Sequence, residues 1–260
     1  MHITEKFKIL KERNEKALLA FLPGNYPSPA GFKAAVDAVF EGGADILEIG
    51  IPFSDPLADG QTISDAYYKL VEHNENFENI ISSLTEIYSR HPDKAFVIMS
   101  YANPLLAMGK AGGEALLRAG VSAVIVPDMP FEEKELIEGI LPEEIKFTAM
   151  LAPTTTKKRS EIIINNAQGF VYCVAVTGVT GERNSFQEQQ VTFLEELKQD
   201  SDVPFVMGFG ISEVEHAKAA AKYADGIVIG SKLTRMAAKP EELKSFLGEV
   251  KAALLTNKFK

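Results

Sequence analysis

Eight short apolar runs, each followed by a loop rich in Gly, Pro or Asp and then by a longer segment of helical period, constrain this chain more than any other feature. The runs are ALLAFL, DILEIG, AFVIMS, SAVIVP, KFTAML, GFVYCV, VPFVMG and GIVIG. They are almost continuously apolar, as parallel strands are when helices cover the sheet. The first intervening segment carries Phe32, Val36, Val39 and Phe40 on one face, with Ser28 as N-cap and Gly42 just past its end, and predicts an amphipathic helix. Further helices are predicted over 77–90, 112–117, 132–140, 158–166, 193–199, 214–223 and 241–255. Such alternation over 260 residues predicts an α/β fold, a (β/α)8 TIM barrel, as a single domain spanning 1–260. A weak repeat, GADILEIGIPFSDP against GVSAVIVPDMPFEE, points the same way. The rival is a doubly wound open sheet, but its first turn would carry a glycine-rich dinucleotide fingerprint, which LPGNYP does not match.

Charge and composition narrow the function. A net charge of -9 provides no basic field for nucleic acid or an anionic membrane surface. No apolar run approaches the roughly 20 residues of a membrane span, and the amino terminus lacks a signal-peptide core, so a cytoplasmic protein is expected. One cysteine, Cys173, excludes a disulfide framework, and His2, His73, His91 and His216 lack metal-ligand spacing; no metal site is expected.

In such a barrel the chemistry sits where strands end and βα loops begin. LEIGIPFSDPLADG places Glu48 near a strand end and Asp55 and Asp59 in the loop that follows. Alternation puts Ile46, Glu48 and Gly50 on one face. A carboxyl facing the top of the barrel core is partly desolvated, which raises its pKa and suits it to proton transfer. The plainer reading is a structural acid bonded to backbone. Asp59 reads equally as a turn residue of its Asp-Gly pair, Asp55 as loop architecture, and Asp128 in VPDMP as a competing strand-end acid.

Two glycine clusters, GFGIS at 208–212 and IGSK at 229–232, follow the last two strands, where barrels of this kind often bind phosphate through backbone N–H groups and a short helix N-terminus. The loop VTGVTGERNSF, with Gly178 and Gly181 around Thr180, has the composition of a mobile lid or of an ordinary surface loop. No lysine ends a candidate strand, which disfavours Schiff-base chemistry. Phe21, Met99, Tyr101 and Phe209 lie near strand ends, where they line a pocket for a flat apolar group or serve as plain core. Acid/base chemistry on a small phosphorylated molecule remains.

Taken together, LEIGIPFSDPLADG, the YAN of Tyr101–Asn103, TGVTG, GFGIS and IGS resemble, in order, the motifs of the α subunit of tryptophan synthase. That resemblance spans nearly the whole chain. It implies a (β/α)8 barrel without a cofactor of its own, which cleaves indole-3-glycerol phosphate to indole and glyceraldehyde 3-phosphate. It implies Glu48 as the acid/base, Asp59 as the group that stabilises the indole N–H, Tyr172 as a tyrosine beside the glutamate and Thr180 as a lid threonine. Phosphate is expected at the backbone of Gly181, Phe209, Gly210, Gly230 and Ser231. The implied partner is a β subunit that carries pyridoxal phosphate, in a complex of two α and two β chains, with Pro52, Asp55 and Asn103 at the contact. Two positions depart from the family pattern: Gln61 stands where many members have proline, and Val176 where many have arginine. Two alternatives stay open: an allosteric subunit with weak catalysis, and another phosphate-binding barrel such as a sugar-phosphate isomerase or epimerase.

Overall fold

The apolar runs become strands because each can hide both faces, one inside a barrel and one under helices. The computed structural model describes residues 1–152, 154–174, 201–208 and 210–256. Its strands are β1 (Ala17–Pro23), β2 (Ile46–Gly50), β3 (Ala95–Met99), β4 (Val121–Ile125), β5 (Lys146–Leu151), β6 (Val171–Val174), β7 (Phe205–Gly208) and β8 (Gly226–Ile229). They pair in parallel, in chain order, and β8 closes on β1. All eight predicted strands are present.

Alternating residues divide along each strand. In β1 and β2, Leu18, Ala20, Leu22, Leu47 and Ile49 pack outward among the helices, while Leu19, Phe21 and Ile46 pack inward. Helix α2 (Pro29–Glu41) is N-capped by Ser28, whose hydroxyl accepts from Gly31 N–H, and is C-capped by Gly42, as predicted. Helix α4 (Phe77–Arg90) follows the sequence reading and is capped by Asn76.

Several helices differ from expectation. An unpredicted α1 (Ile3–Glu12) places Ile3, Phe7 and Leu10 in the inner cluster, and Ile3 N–H bonds Ser122 Oγ at 3.0 Å. A second unpredicted helix, α3 (Gln61–Glu72), buries Ile63, Ala66, Tyr67 and Leu70, a spacing of three and four residues that the sequence does display. Helix α5 (Ala102–Arg118) starts earlier than predicted and kinks at Gly109, whose φ of 59° no ordinary side chain favours. The predicted helix over 132–140 is a 3-10 turn (Phe131–Glu133) followed by the short α6 (Glu135–Glu138). Helices α7 (Lys157–Asn165), α8 (Val214–Ala221), α9 (Ser231–Met236) and α10 (Pro240–Thr256) complete the described elements. The predicted helix over 193–199 lies outside the described residues, as do Val176, Thr180, Gly181 and Phe209.

Register decides which inward residues share a level. Glu48 pairs with Val97 and Val97 with Ala123; Ile125, two residues on, pairs with Thr148, and Met150 with Tyr172. Tyr172 pairs with Val206 and Val206 with Gly226; Val228 then leads through Leu19 and Ile46 back to Glu48. Four steps of two residues thus close the ring, the stagger of about eight that such a barrel requires. Glu48, Ile125, Tyr172 and Val228 therefore form one layer. The layer above it holds Phe21, Met99, Met150 and Gly208, and the layer beneath holds Leu19, Val97, Thr148 and Val206.

Candidate active site

Glu48 lies in the upper barrel interior with 1% of its surface exposed. Among the described residues its Oε2 has no hydrogen-bond partner. A structural acid at this depth would be fully bonded, because an unpaired buried charge is costly. Burial, reinforced by the charge of Asp59, pushes the Glu48 carboxyl up to about 8. The side chain is therefore mostly protonated at neutral pH, and it can both give and take a proton there.

Asp59 is half-buried, and burial raises its carboxyl to about 6, against a hydrogen bond from Tyr101 that lowers it. The Tyr101 hydroxyl donates to Asp59 Oδ2 at 2.7 Å and accepts from Ala58 N–H at 2.9 Å. The β2 loop is thereby tied to the top of β3. Phe53 stacks on the same tyrosine, with centroids 5.2 Å apart. Burial is also the main reason that the Tyr101 and Tyr172 hydroxyls are held above the ordinary phenol range; Asp59 adds to both, and Glu48 to Tyr172. The two carboxyls differ by environment, and the deeper one keeps its proton to higher pH.

Glycines on the inner face make room for the aromatic side chains around Glu48. A Cβ on Gly50 would collide with the Tyr67 hydroxyl and approach Phe21 Cζ to 2.7 Å, and one on Gly208 would meet the Tyr172 hydroxyl. Gly50→Ala is expected to cost about 1–3 kcal/mol by overpacking. Chemical denaturation measures this, and an unchanged midpoint would mean that the tyrosine yields freely.

The structure brings Glu48, Asp59, Phe21, Tyr101 and Tyr172 together at one end of the barrel; Tyr172 lies within β6 rather than at its tip. Tyr67 belongs with them, although the sequence reading passed over it. It is fully buried in α3, and both carboxyls raise its hydroxyl's pKa further after burial. Asp128 does not join the pair. It is exposed, and its Oδ1 accepts Ala102 N–H at 2.9 Å, capping α5, whose N-cap residue Tyr101 makes no such bond.

Of the phosphate candidates, Gly210 is exposed with φ +50°, Gly230 is the N-cap residue of α9, and Ser231 is that helix's first residue. Pro52 is partly buried, whereas Asp55 and Asn103 are exposed on the rim; Asp55 accepts from Ser54 Oγ at 2.6 Å. Between Asp55 and Asp59, Leu57 is 90% exposed. Gln61, in place of the family's proline, occupies the first turn of α3 and bonds Asp65 at 2.6 Å, so the helix start is kept by another route. Among the described residues no cluster of His, Cys, Asp and Glu could hold a metal ion, and no helix is long and apolar enough to cross a membrane.

Comparison with known proteins places this geometry. The profile of the family described as tryptophan synthase alpha chain matches residues 7–259. A tryptophan synthase alpha chain from Aquifex aeolicus is 38% identical over 257 residues, covering 97% of this chain and 98% of that one. One from Bacillus cereus strain G9842 is 39% identical over 234 residues, covering 89% and 90%. Among solved structures, one from Aquifex aeolicus VF5 superposes with a TM-score of 0.89 at 36% identity, covering 98% of this chain and 99% of that one. Tryptophan synthase from M. tuberculosis, in its aminoacrylate-bound form, gives 0.84 at 27% identity, covering 98% and 100%. Matched in this way along nearly its whole length, the chain belongs to the tryptophan synthase alpha chain family.

Proposed function

We propose that this chain, a lyase subunit, cleaves the carbon–carbon bond of indole-3-glycerol phosphate, releasing indole and glyceraldehyde 3-phosphate. The observation that carries the reading is Glu48: a carboxyl 1% exposed beneath the mouth of the barrel, held mostly protonated at neutral pH, whose buried Oε2 has no direct partner among the described residues. Glu48 delivers a proton to indole C3, which leaves an iminium whose N–H faces the Asp59 carboxylate. The glycerol hydroxyl next to the scissile bond then gives up its proton to Glu48. Its oxygen becomes the aldehyde carbonyl, the bond to C3 breaks, and its electron pair restores the indole ring. One proton is given and one regained, so Glu48 ends as it began.

Phe21, Tyr101 and Tyr172 form the apolar walls for the indole ring. The phosphate binds at the tops of β7 and β8, on Gly210, Gly230 and the backbone and hydroxyl of Ser231, with Gly181 and Phe209 completing the site and Thr180 on the lid. Indole passes to a β subunit that carries pyridoxal phosphate; this chain uses no cofactor itself. That partner docks on Pro52, Asp55 and Asn103, and the exposure of Leu57 on the same rim supports an apolar contact there. The assembly is two α with two β chains, in the cytoplasm.

The test is indole release from indole-3-glycerol phosphate by the purified chain, alone and with a β subunit. Release no faster than in buffer, in both settings, rules the reading out. In the same assay Tyr101→Phe is expected to move the acidic limb of the pH–rate profile up by about one unit. It removes the hydrogen bond that favours the Asp59 carboxylate. An unmoved limb would show that Asp59 ionisation does not govern that limb.

A further inference from the structure

Among the described residues, the barrel bore contains a second polar atom without a partner. Thr148 is 0% exposed, and among the described residues its Oγ1, like Glu48 Oε2, makes no hydrogen bond. Its strand neighbours Phe147 and Ala149 pack outward among the helices, so Thr148 points toward the barrel axis. Register sets it opposite Ile125, a member of the Glu48 layer, and its own layer is otherwise Leu19, Val97 and Val206. Among the described residues the only other buried unpartnered side-chain atom of this kind, Asn25 Oδ1, lies past the end of β1, and the amide of that residue donates to Glu75.

A hydroxyl among apolar side chains is destabilising unless it is bonded, and valine would fill the same shape without that cost. Two such atoms in one bore have complementary capacities, since a hydroxyl donates and a carboxyl oxygen accepts. Neighbouring layers in a tilted barrel are only roughly 3 Å apart along its axis, so the two side chains point toward the axis from β2 and β5 at nearly the same level, where one water can bond both. We propose that Thr148 is a positioning residue for Glu48, its hydroxyl donating through one shared buried water to Oε2 and fixing the carboxyl's orientation toward the substrate. This rests on Glu48 as the proton carrier proposed above. The bond is strongest when Glu48 is ionised, the moment between giving its proton to C3 and regaining one from the hydroxyl.

Among the described residues, the titratable groups that couple to Glu48 or share its pocket are Asp59 on the β2 loop, Tyr67 on α3, Tyr101 above β3 and Tyr172 on β6. None of them lies on β5, so a substitution at 148 leaves them in place.

The experiment titrates protein carrying carbon-13 in its glutamate carboxyls, with the Glu48 resonance identified as the one lost in Glu48→Gln. Thr148→Val is expected to raise the Glu48 midpoint by about one pH unit, because the charged form loses a donor, and to move the alkaline limb of indole release with it. Thr148→Ser, which keeps the hydroxyl, is expected to leave both at their wild-type positions. If valine packs badly, Thr148→Ala gives the same readout. A Glu48 midpoint unmoved by loss of the hydroxyl overturns the proposal, and a rise in melting temperature without such a movement identifies Thr148 as packing alone. The carboxyl titration does not depend on turnover. A shifted midpoint in a protein whose Glu48→Gln variant still releases indole would therefore sink the lyase role of Glu48 and leave the coupling standing.

Discussion

Glu48→Gln is expected to reduce indole release by about 10²–10⁴-fold, the contribution of a positioned acid/base, while binding of a phosphate-bearing substrate analogue stays near the wild-type value. The amide keeps the shape of the carboxyl and cannot exchange a proton with C3 or the glycerol hydroxyl. Because the described phosphate candidates, Gly210, Gly230 and Ser231, follow β7 and β8 rather than lie on β2, affinity and turnover should separate. Single-turnover kinetics with analogue titration measures both; equal loss of the two would point to misfolding.

The same substitution has a stability consequence whose sign follows from linkage. The folded carboxyl holds its proton up to about 8, whereas an unfolded chain releases it from about 4.5. Wild-type stability therefore falls as pH rises between these values, by a few kcal/mol at most. Glu48→Gln lacks that loss, so its advantage over wild type in denaturant midpoint should grow from pH 4 to pH 8. A constant difference would mean that Glu48 is not held protonated.

Asp59→Asn should lower turnover by about 10²–10³-fold, since a fixed carboxylate facing the iminium N–H acts where positive charge develops. It removes the anionic neighbour that helps keep Glu48 protonated, so the alkaline limb of the residual activity should move down. The hydrogen bond from Tyr101 survives on the amide oxygen, which keeps the loop attached to β3. If turnover falls while the alkaline limb stays at its wild-type position, Asp59 acts on substrate without coupling to Glu48. If neither changes, Asp59 is the turn residue that its Asp-Gly sequence also permits.

The helix pattern shows where local sequence carried the argument and where it did not. Ser28 and Gly42 bracketed α2 because capping is a short-range matter of backbone groups and one hydroxyl. Helix α3 went unpredicted because the prolines and Asp-Gly of the β2 loop are turn signals that run up to Gln61, although Ile63, Ala66, Tyr67 and Leu70 carry a helical stripe. With α3 went Tyr67, whose place over Gly50 depends on how the helix crosses the barrel mouth. The reading of Asp128 stayed open in sequence for a related reason: an exposed cap on α5 and a buried acid at a strand end have the same local spelling.

What the sequence determined by itself was the architecture and the choice of Glu48 and Asp59 as candidate acids. Strand period, apolar continuity and the LEIGIPFSDPLADG motif are local, and they carry their meaning without knowledge of neighbours. Tertiary structure alone decided which residues share a level. Barrel closure sets a stagger that puts Tyr172 from β6 beside Glu48 from β2 and sets Thr148 one layer beneath, across 124 and 100 positions of sequence respectively. It also decided protonation, because Glu48 holds its proton through burial by the whole barrel and through the charge of Asp59, neither of which a single strand possesses.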